Sequence, residues 1–294
     1  MVSPRSVRVF APAKINLTLH VTGQRDDGYH LLDSLVTFAS VGDVLTATLG
    51  AGEGLTVSGP FAGQVPTDDT NFIHKVVSHF QFEAPLSFHL EKNLPVASGI
   101  GGGSADAGAC IRALVALNGG QGALSVAEMM KIGADLPMCV AAQPARVRGV
   151  GEILEPRQAL PELHLVLVNP GVAVSTPEVF AALASRQNAP MTPMPDGPDR
   201  FGQWLAAQRN DLQDAAIGIA PEIARVLDAL RSIPGCRLAR MSGSGASCFG
   251  IFDTVQNAAL AADHLSRAQP HWWVAAGDSN GSGRAAPQLM RSTT

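Results

Sequence analysis

The most regular pattern of polar and apolar positions in the chain runs from Lys14 to Val21. Every second residue from Lys14 to His20 is polar, and the residues between them, from Ile15 to Val21, are apolar. Strict alternation places the two sets on opposite faces of an extended chain, so a half-buried β-strand is predicted here. Its polar face would line a cleft or meet water.

Further strands and helices are predicted from shorter patterns. Alternating or apolar runs predict strands over 45–49, 87–90, 163–168, 248–252 and 272–275. Apolar residues at helical spacing behind a capping residue predict helices. These begin at Ser104 (running to Leu117), Ser125, Thr176, Pro221 and Thr254. Because strands cluster early with few helices between them, an antiparallel or mixed sheet is favoured over a doubly wound parallel one.

The length and the local composition predict the domain organisation. A chain of 294 residues suits two domains. A proline-flanked stretch over 155–161 marks the expected boundary, which gives domains at 1–156 and 157–277. The segment 278–294 is rich in Gly, Ser, Arg and Pro and is predicted to be a flexible tail.

Composition narrows the function classes. The formal net charge is -4 and the basic residues are scattered, so no nucleic-acid partner is expected. The four cysteines show no C-x-x-C spacing, which indicates reduced core residues of a cytoplasmic protein and neither a disulfide framework nor a zinc site. The sequence also shows no signal-peptide pattern and no apolar run long enough for a membrane span.

The strongest candidate for chemistry is the loop from Pro95 to Ala105. Four of the five residues from Gly99 to Gly103 are glycine, so the backbone can approach a ligand closely. The loop leads into a predicted helix, whose free N–H groups and positive dipole end favour a phosphate. The alternative is an ordinary flexible turn. No lysine follows the glycines as in a Walker A motif, and Ser104 stands where a dinucleotide fingerprint has its third glycine.

Two ionisable residues are candidates for catalysis. Asp135 lies between small and apolar residues just before Leu136-Pro137, and such a carboxylate would orient or deprotonate an acceptor hydroxyl. A turn or capping aspartate is the alternative. Lys14, on the polar face of the first strand, would pair with that carboxylate and add positive charge near a phosphate. From the local sequence alone, an exposed strand lysine is the simpler interpretation.

Two further segments offer binding groups. The small residues of Ser242-Gly243-Ser244-Gly245, before the strand at 248–252, would lie against a ligand or against the first glycine loop, or form a tight turn. Tyr29, the only tyrosine, stands next to His30 and offers a stacking face for a heterocyclic base. A half-buried aromatic residue in a turn is the alternative.

Taken together, these segments resemble the GHMP kinase superfamily. Its lysine-bearing first strand, its phosphate loop and its late glycine motif correspond in order to Pro12-Ala-Lys14, to Pro95 through Ala105, and to Met241 through Ser247. Gly28-Tyr-His30, Gly133-Ala-Asp-Leu-Pro137 and Gly149-Val-Gly-Glu-Ile-Leu154 are similar to the branch that phosphorylates a cytidine diphosphate derivative of methylerythritol. The chain departs from the usual pattern of this branch at Ala97-Ser98 and Ala105-Asp106.

The resemblance implies a two-domain α+β fold with the active site in the cleft between the domains. It implies ATP as phosphoryl donor and a small-molecule acceptor. Mg²⁺ is expected because ATP chemistry normally needs it, and the protein is expected to be a monomer or homodimer. Asp135 would be the catalytic base and Lys14 its partner. The remaining residues would bind the two substrates. The nucleotide would be bound by Pro95, Val96, Ala97, Ser98, Gly99, Ile100, Gly101, Gly102, Gly103, Ser104, Ala105, Asn71 and Lys92. The acceptor would be bound by Asn16, Tyr29, His30, Thr176 and Phe180, with Tyr29 and Phe180 stacking on the cytosine.

Three alternatives remain open at this point. The first is another GHMP kinase, acting on mevalonate, homoserine or a sugar, against which the Tyr29-His30 pair argues. The second is a nucleotide-binding module that has lost catalysis, against which the presence of Lys14 and Asp135 argues. The third is a dinucleotide oxidoreductase, against which the missing third glycine argues.

Overall fold

The computed structural model describes residues 5–290 except 158, 159 and 196, and the backbone alone of 198 and 199. Its strands are Arg5–Asn16 (β1), His20–Gln24 (β2), His30–Leu49 (β3), Gly54–Ser58 (β4), Leu86–Glu91 (β5), Ala145–Gly149 (β6), Ile153–Pro156 (β7), His164–Asn169 (β8), Cys236–Met241 (β9), Cys248–Phe252 (β10), Trp273–Asp278 (β11) and Gln288–Met290 (β12). Its α-helices are Phe72–Val77 (α1), Gly102–Leu117 (α2), Val126–Ile132 (α3), Leu136–Ala141 (α4), Thr176–Ala181 (α5), Pro198–Ala206 (α6), Gln213–Ile219 (α7), Glu222–Ser232 (α8) and Val255–Ala268 (α9).

The strands form two sheets. The first has the order β12-β1-β3-β5-β4, with β2 and β6 also paired to β3 and β7 paired to β6. All its pairs are antiparallel except β4–β5. The second sheet has the order β11-β8-β10-β9 and is antiparallel throughout. The expectation of an antiparallel or mixed sheet is confirmed.

Three apolar clusters hold these layers together. One packs α2 and α4 onto the first sheet, and a second packs α8 and α9 onto the second sheet. The third joins the two halves of the chain, because Ile15 and Leu17 pack in it with Leu165, Leu167 and Phe249. The polar face of the segment 14–21 is buried as well, contrary to the half-buried strand that the alternation predicts, because Thr18 and His20 contact Met191 and Ala189 of the second half of the chain.

The segment 14–21 is also interrupted, which the alternation does not reveal. β1 ends at Asn16 and β2 begins at His20. Between them, the N–H of Leu17 donates to the carbonyl oxygen of Leu35, and that of Leu19 donates to the carbonyl oxygen of Arg209. The chain therefore bends toward the C-terminal half at this point, because its hydrogen-bond partners are distant in sequence.

The helix predictions hold with small shifts at the ends. The capping box of Ser125 and Glu128 is present at the start of α3, and the side chain of Thr254 caps α9. Helix α2 begins at Gly102, so Ser104 lies inside its first turn and is not the N-cap. Gly101 takes the N-cap position in the left-handed region, with φ 68°, which a glycine adopts without strain.

Residues 278–290 differ from the predicted flexible tail. Gly281–Arg284 forms a 3₁₀-helix, and β12 pairs with Ser6, Val7 and Arg8 of β1. The backbone hydrogen bonds of the first sheet extend to this segment, so its composition alone did not predict its structure. Residues 291–294 lie outside the described part. The domain division at 156/157 stays a prediction; Pro156 ends β7 and His164 begins β8.

Candidate active site

A cleft of about 500 Å³ is lined by residues from both halves of the chain. The first half contributes the end of β1, the loop before α2 and the start of α4. The second half contributes α5 and the loop between β9 and β10. The site residues predicted from the sequence that line this cleft are Lys14, Asn16, Val96, Ala97, Ser98, Gly99, Gly101, Gly102, Gly103, Ser104, Asp135, Thr176, Phe180, Gly243 and Ser244.

The glycine loop and the late glycine loop are packed backbone against backbone. The N–H of Ser247 donates to the carbonyl oxygen of Ser98 over 3.0 Å, and the Ser242 hydroxyl donates to that of Gly99 over 3.2 Å. A Cβ added at Gly99 would lie 2.5 Å from the carbonyl oxygen of Ser242. The late loop contacts the first glycine loop, and it also forms a tight turn, in which the N–H of Gly245 donates to the carbonyl oxygen of Ser242 over 3.1 Å.

The start of α2 presents free backbone donors to the cleft. The first intrahelical bond runs from the N–H of Ala105 to the carbonyl oxygen of Gly101 over 2.7 Å. The N–H groups of Gly102, Gly103 and Ser104 precede that bond and have no place in the helical ladder, and no side chain caps this end. Such an uncapped helix start attracts a phosphate through its N–H groups and its dipole.

Lys14 and Asp135 form an ion pair in the cleft. Their Nζ and Oδ2 atoms are 3.0 Å apart, with the lysine side chain 5 % exposed and the aspartate side chain 37 % exposed. Asp135 occupies the N-cap position of α4, yet its side chain makes no capping hydrogen bond. Asp135 does lie in a turn, but the expectation of a capping side chain is wrong. The exposed-lysine interpretation of Lys14 is wrong as well. The carboxylate is fixed by the lysine and remains open to the cleft.

A chain of hydrogen bonds behind this pair reaches Ser34, which sequence reasoning missed. Lys14 Nζ donates to Asn16 Oδ1 over 2.7 Å, and Asn16 Nδ2 donates to Ser34 Oγ over 2.8 Å. Ser34 Oγ in turn donates to the carbonyl oxygen of Thr18 over 2.5 Å. Ser34 lies in the interior of β3, and nothing in its local sequence distinguishes it from an ordinary strand serine.

Gly101 is held closely between the loop and the ion pair. An added Cβ there would lie 3.3 Å from Lys14 Cβ and Cε, and 3.7 Å from Asp135 Oδ2. The N–H of Lys14 also donates to the carbonyl oxygen of Ile100 over 3.0 Å. The candidate catalytic pair and the glycine loop are therefore in direct contact with each other. Ile100 and Ala105 face the core behind the loop.

The aromatic residues are arranged differently from the prediction. His30 stacks directly on Phe180, with ring centroids 4.6 Å apart and planes 24° from parallel. Tyr29 is 60 % exposed and lies outside the cleft lining. Burial, with a smaller contribution from Arg186, lowers the pKa of His30. The predicted stacking of Tyr29 and Phe180 around one base is not present in this conformation, because the turn that carries Tyr29 points it to solvent.

Two residues predicted to bind nucleotide have other partners. The Asn71 side chain caps α1, accepting from the N–H of Ile73 and donating to the carbonyl oxygen of Pro66. Lys92 is 2 % exposed and is bound to Asp43 and Asp106 beneath the loop. Both side chains are occupied by contacts within the fold, so neither reaches the cleft directly.

The described residues contain no group of three or more His, Cys, Asp or Glu side chains placed to hold a metal ion. None of the helices in the described ranges is long and apolar enough to cross a membrane. All four cysteines are free.

Comparison with known proteins identifies the family. Residues 71–145 match the model of the GHMP kinases N terminal domain, and residues 197–271 match that of the GHMP kinases C terminal domain. The 4-diphosphocytidyl-2-C-methyl-D-erythritol kinase of Roseobacter denitrificans is 51% identical over 92% of this chain and 93% of its own length. The kinase of the same name from Cereibacter sphaeroides is 52% identical over 90% of this chain and 96% of its own. This chain belongs to the 4-diphosphocytidyl-2-C-methyl-D-erythritol kinase family.

Solved structures agree with membership of this GHMP kinase family. A crystal structure of 4-(cytidine 5'-diphospho)-2C-methyl-D-erythritol kinase matches with a TM-score of 0.77 and 32% identity, covering 92% of this chain and 98% of that one. Mevalonate kinase from L. major matches with a TM-score of 0.62 at 16% identity, which shows a shared fold alone. The predicted α+β GHMP kinase fold is confirmed, and the dinucleotide oxidoreductase alternative is wrong.

Proposed function

We propose that this protein transfers the γ-phosphoryl group of ATP to the 2-hydroxyl of 4-diphosphocytidyl-2-C-methyl-D-erythritol, a step of the non-mevalonate route to isoprenoid precursors. The observation that carries the proposal is the Lys14–Asp135 pair beside the uncapped start of α2, in one cleft. This arrangement provides a carboxylate for the acceptor hydroxyl next to donors for the phosphates. Family membership supplies the identity of the acceptor.

In the proposed mechanism, the N–H groups of Gly102, Gly103 and Ser104 bind the phosphates of ATP. Asp135 accepts the proton of the 2-hydroxyl while the oxygen of that hydroxyl bonds to the γ-phosphorus. The bond between that phosphorus and the β–γ bridging oxygen breaks, and ADP leaves. Lys14 holds the carboxylate in position and places positive charge near the transferring group. Positioning and electrostatics supply most of the rate in such transfers.

Magnesium would be held together with the ATP phosphates. Mg²⁺ prefers oxygen ligands and commonly keeps one or two protein groups, with phosphate oxygens and water completing its shell. The Ser104 hydroxyl lines the cleft at the start of α2 and is an oxygen ligand that fits the ion. The metal would neutralise part of the charge on the phosphates.

The acceptor would be held at the end of the cleft that contains Phe180 and Thr176. The Thr176 hydroxyl lies 2.7 Å from that of Ser244, which joins the acceptor side to the late glycine loop. Since His30 and Phe180 are already in contact, no third ring fits between them. On the face of Phe180 that His30 covers, a cytosine would stack only after His30 moves aside, and Tyr29 would then close over it from its exposed position.

The test is release of ADP from Mg·ATP with 4-diphosphocytidyl-2-C-methyl-D-erythritol, with homoserine, mevalonate and galactose assayed in parallel. Turnover with the cytidyl acceptor alone is the expected result. Turnover with another acceptor would keep the phosphate site and replace the substrate. An absence of turnover with all four would favour the non-catalytic alternative. Gel filtration and cell fractionation would test the expected monomer or homodimer and its cytoplasmic location.

A further inference from the structure

Three ionisable side chains are buried together directly beneath the glycine loop. Lys92 Nζ lies 2.6 Å from Asp43 Oδ2 and 2.7 Å from Asp106 Oδ2. The side chains are 3 %, 0 % and 6 % exposed, in the order Lys92, Asp43, Asp106. Burying three such groups is costly unless each has partners. None of the three takes part in the proposed phosphoryl transfer, so the cluster needs another explanation.

The cluster is connected to the chain just before the loop. Asp43 Oδ1 accepts hydrogen bonds from the N–H groups of Asn93, over 2.6 Å, and Leu94, over 2.8 Å. Its other oxygen accepts from Lys92. Leu94 precedes Pro95, where the loop begins, so the incoming end of the loop is fixed by one buried carboxylate on β3.

The cluster is also connected to the chain just after the loop. Asp106 lies in the second turn of α2, and its Oδ2 atom accepts from Lys92. A Cβ added at Gly102, the first residue of α2, would lie 3.2 Å from Lys92 Nζ. The ammonium group therefore lies against the helix start whose N–H groups face the cleft. Both ends of the loop are thereby joined to a single cation.

We propose that Lys92, Asp43 and Asp106 form a positioning cluster, which holds the loop 95–105 in the shape that receives the phosphates of the nucleotide. Lys92 acts through the loop and does not touch the nucleotide. The inference rests on the proposed function, since the loop has this purpose only if a nucleotide binds there. A hydrogen bond to a charged group contributes more free energy than a hydrogen bond between neutral groups, so each of these contacts can stabilise the position of the loop.

Lys92 is the hydrogen-bond partner that ties the Asp106 carboxylate to the rest of the cluster. The Oδ2 atom of Asp106 accepts from Lys92 over 2.7 Å. Its Oδ1 atom is buried without a hydrogen-bond partner among the described residues. The link between α2 and the chain before the loop therefore depends on the single contact between Asp106 and Lys92.

The test compares two substitutions at Asp106. Asp106→Asn keeps an oxygen acceptor for Lys92, whereas Asp106→Ala removes the tie between Lys92 and α2. In the ligand-free proteins, amide hydrogen exchange of 95–105 is expected to be faster in Asp106→Ala than in Asp106→Asn and the unmodified chain. Exchange in β8 and β10 of the second sheet is expected to be the same in all three. A purely structural defect would instead accelerate exchange across both sheets.

Binding of Mg·ADP, measured by calorimetry, is the second readout. We expect about tenfold weaker binding for Asp106→Ala and little change for Asp106→Asn. Lys92→Met should weaken binding in the same direction if it folds, with the exposed Lys131→Met as control. Equal exchange in the loop and equal affinity for Asp106→Ala and Asp106→Asn would overturn the proposal. If the unmodified protein binds no nucleotide, the proposed function fails, and the exchange contrast still decides whether the cluster positions the loop.

Discussion

The side-chain amide of Asn16 donates to the hydroxyl of Ser34 over 2.8 Å, and this contact orients the amide so that its oxygen accepts from Lys14. Both residues are buried, with Asn16 5% exposed and Ser34 1% exposed. The amide therefore has one orientation that satisfies both of its ends. Lys14 is in this way held between Asn16 and Asp135, with its position set by a residue that does not touch it.

Ser34→Ala should lower turnover through this contact. Loss of one hydrogen bond to a buried amide costs about 1 to 3 kcal/mol, so we expect kcat to fall roughly tenfold while the KM for ATP changes little. The measurement is steady-state kinetics with both substrates. Ser34→Thr, which keeps the hydroxyl, should recover much of the activity, and the exposed Ser232→Ala serves as control. Equal losses in Ser34→Ala and Ser34→Thr would indicate a packing effect instead.

Asp135→Asn should separate catalysis from binding. The amide keeps the shape of the side chain and loses the ability to accept the hydroxyl proton, and general-base catalysis contributes roughly a hundredfold to ten-thousandfold. We expect kcat to fall within that range and the affinity for Mg·ADP to stay within a few-fold. Single-turnover kinetics and calorimetry provide the two values. Near-normal turnover would remove Asp135 from its proposed role; Asp228→Asn, on the exposed face of α8, controls for loss of a surface charge.

The local sequence predicted the parts of the site that are formed by consecutive residues. Glycines before a helix and an aspartate before Leu136-Pro137 are such local signals, and both segments line the cleft. The roles of Ser34 and Lys92 depend instead on partners far away in the chain. Ser34 is 18 residues from Asn16, and Lys92 is 49 residues from Asp43. The sequence around either residue contains no pattern that predicts those contacts.

The same distinction applies to the fold. Strands and helices with a strong period were predicted close to their true ends, as for Cys248–Phe252. The break after Asn16 and the pairing of Gln288–Met290 with β1 were not, because both are decided by partners in other segments. The composition of the last residues suggested disorder, but an open edge of β1 was available to bind a short strand.

Gly101→Ala should impair the loop and the ion pair together. Its φ of 68° lies in the left-handed region, where an alanine costs about 1 to 2 kcal/mol. The new methyl group would also press on Lys14 at 3.3 Å. We expect weaker Mg·ADP binding and lower kcat, both by roughly tenfold. Gly202→Ala, in a helix and with no atom within 4 Å of the added Cβ, is the control and should leave both unchanged. Unchanged kinetics for Gly101→Ala would show that the loop adapts easily.

Phe180→Ala should affect the acceptor and spare the nucleotide. Loss of a stacking ring weakens base binding by about 1 to 3 kcal/mol, so we expect the KM of the cytidyl acceptor to rise roughly tenfold or more. The KM for ATP should not move. Tyr29→Ala should act in the same direction only if Tyr29 closes over the base. If Tyr29→Ala has normal kinetics, the exposed position seen here is its working position and the predicted stacking is wrong.

The pH dependence of stability should reflect two histidines, the buried His20 and the half-buried His30. Burial lowers the pKa of both His20 and His30 from the usual 6.5. As the pH falls below 6.5, the unfolded chain therefore binds protons at these positions before the folded chain does, and the free energy of unfolding decreases. Asp33, whose pKa is lowered from 3.8 by Arg146 and the N–H of Met191 against the effect of burial, adds its own loss only at more acidic pH. Urea unfolding at pH 7.5 and about pH 5.5 would measure the change. In His30→Gln the decrease over this interval should be smaller, with the remainder due to His20; an identical decrease would show that His30 titrates normally in the folded protein.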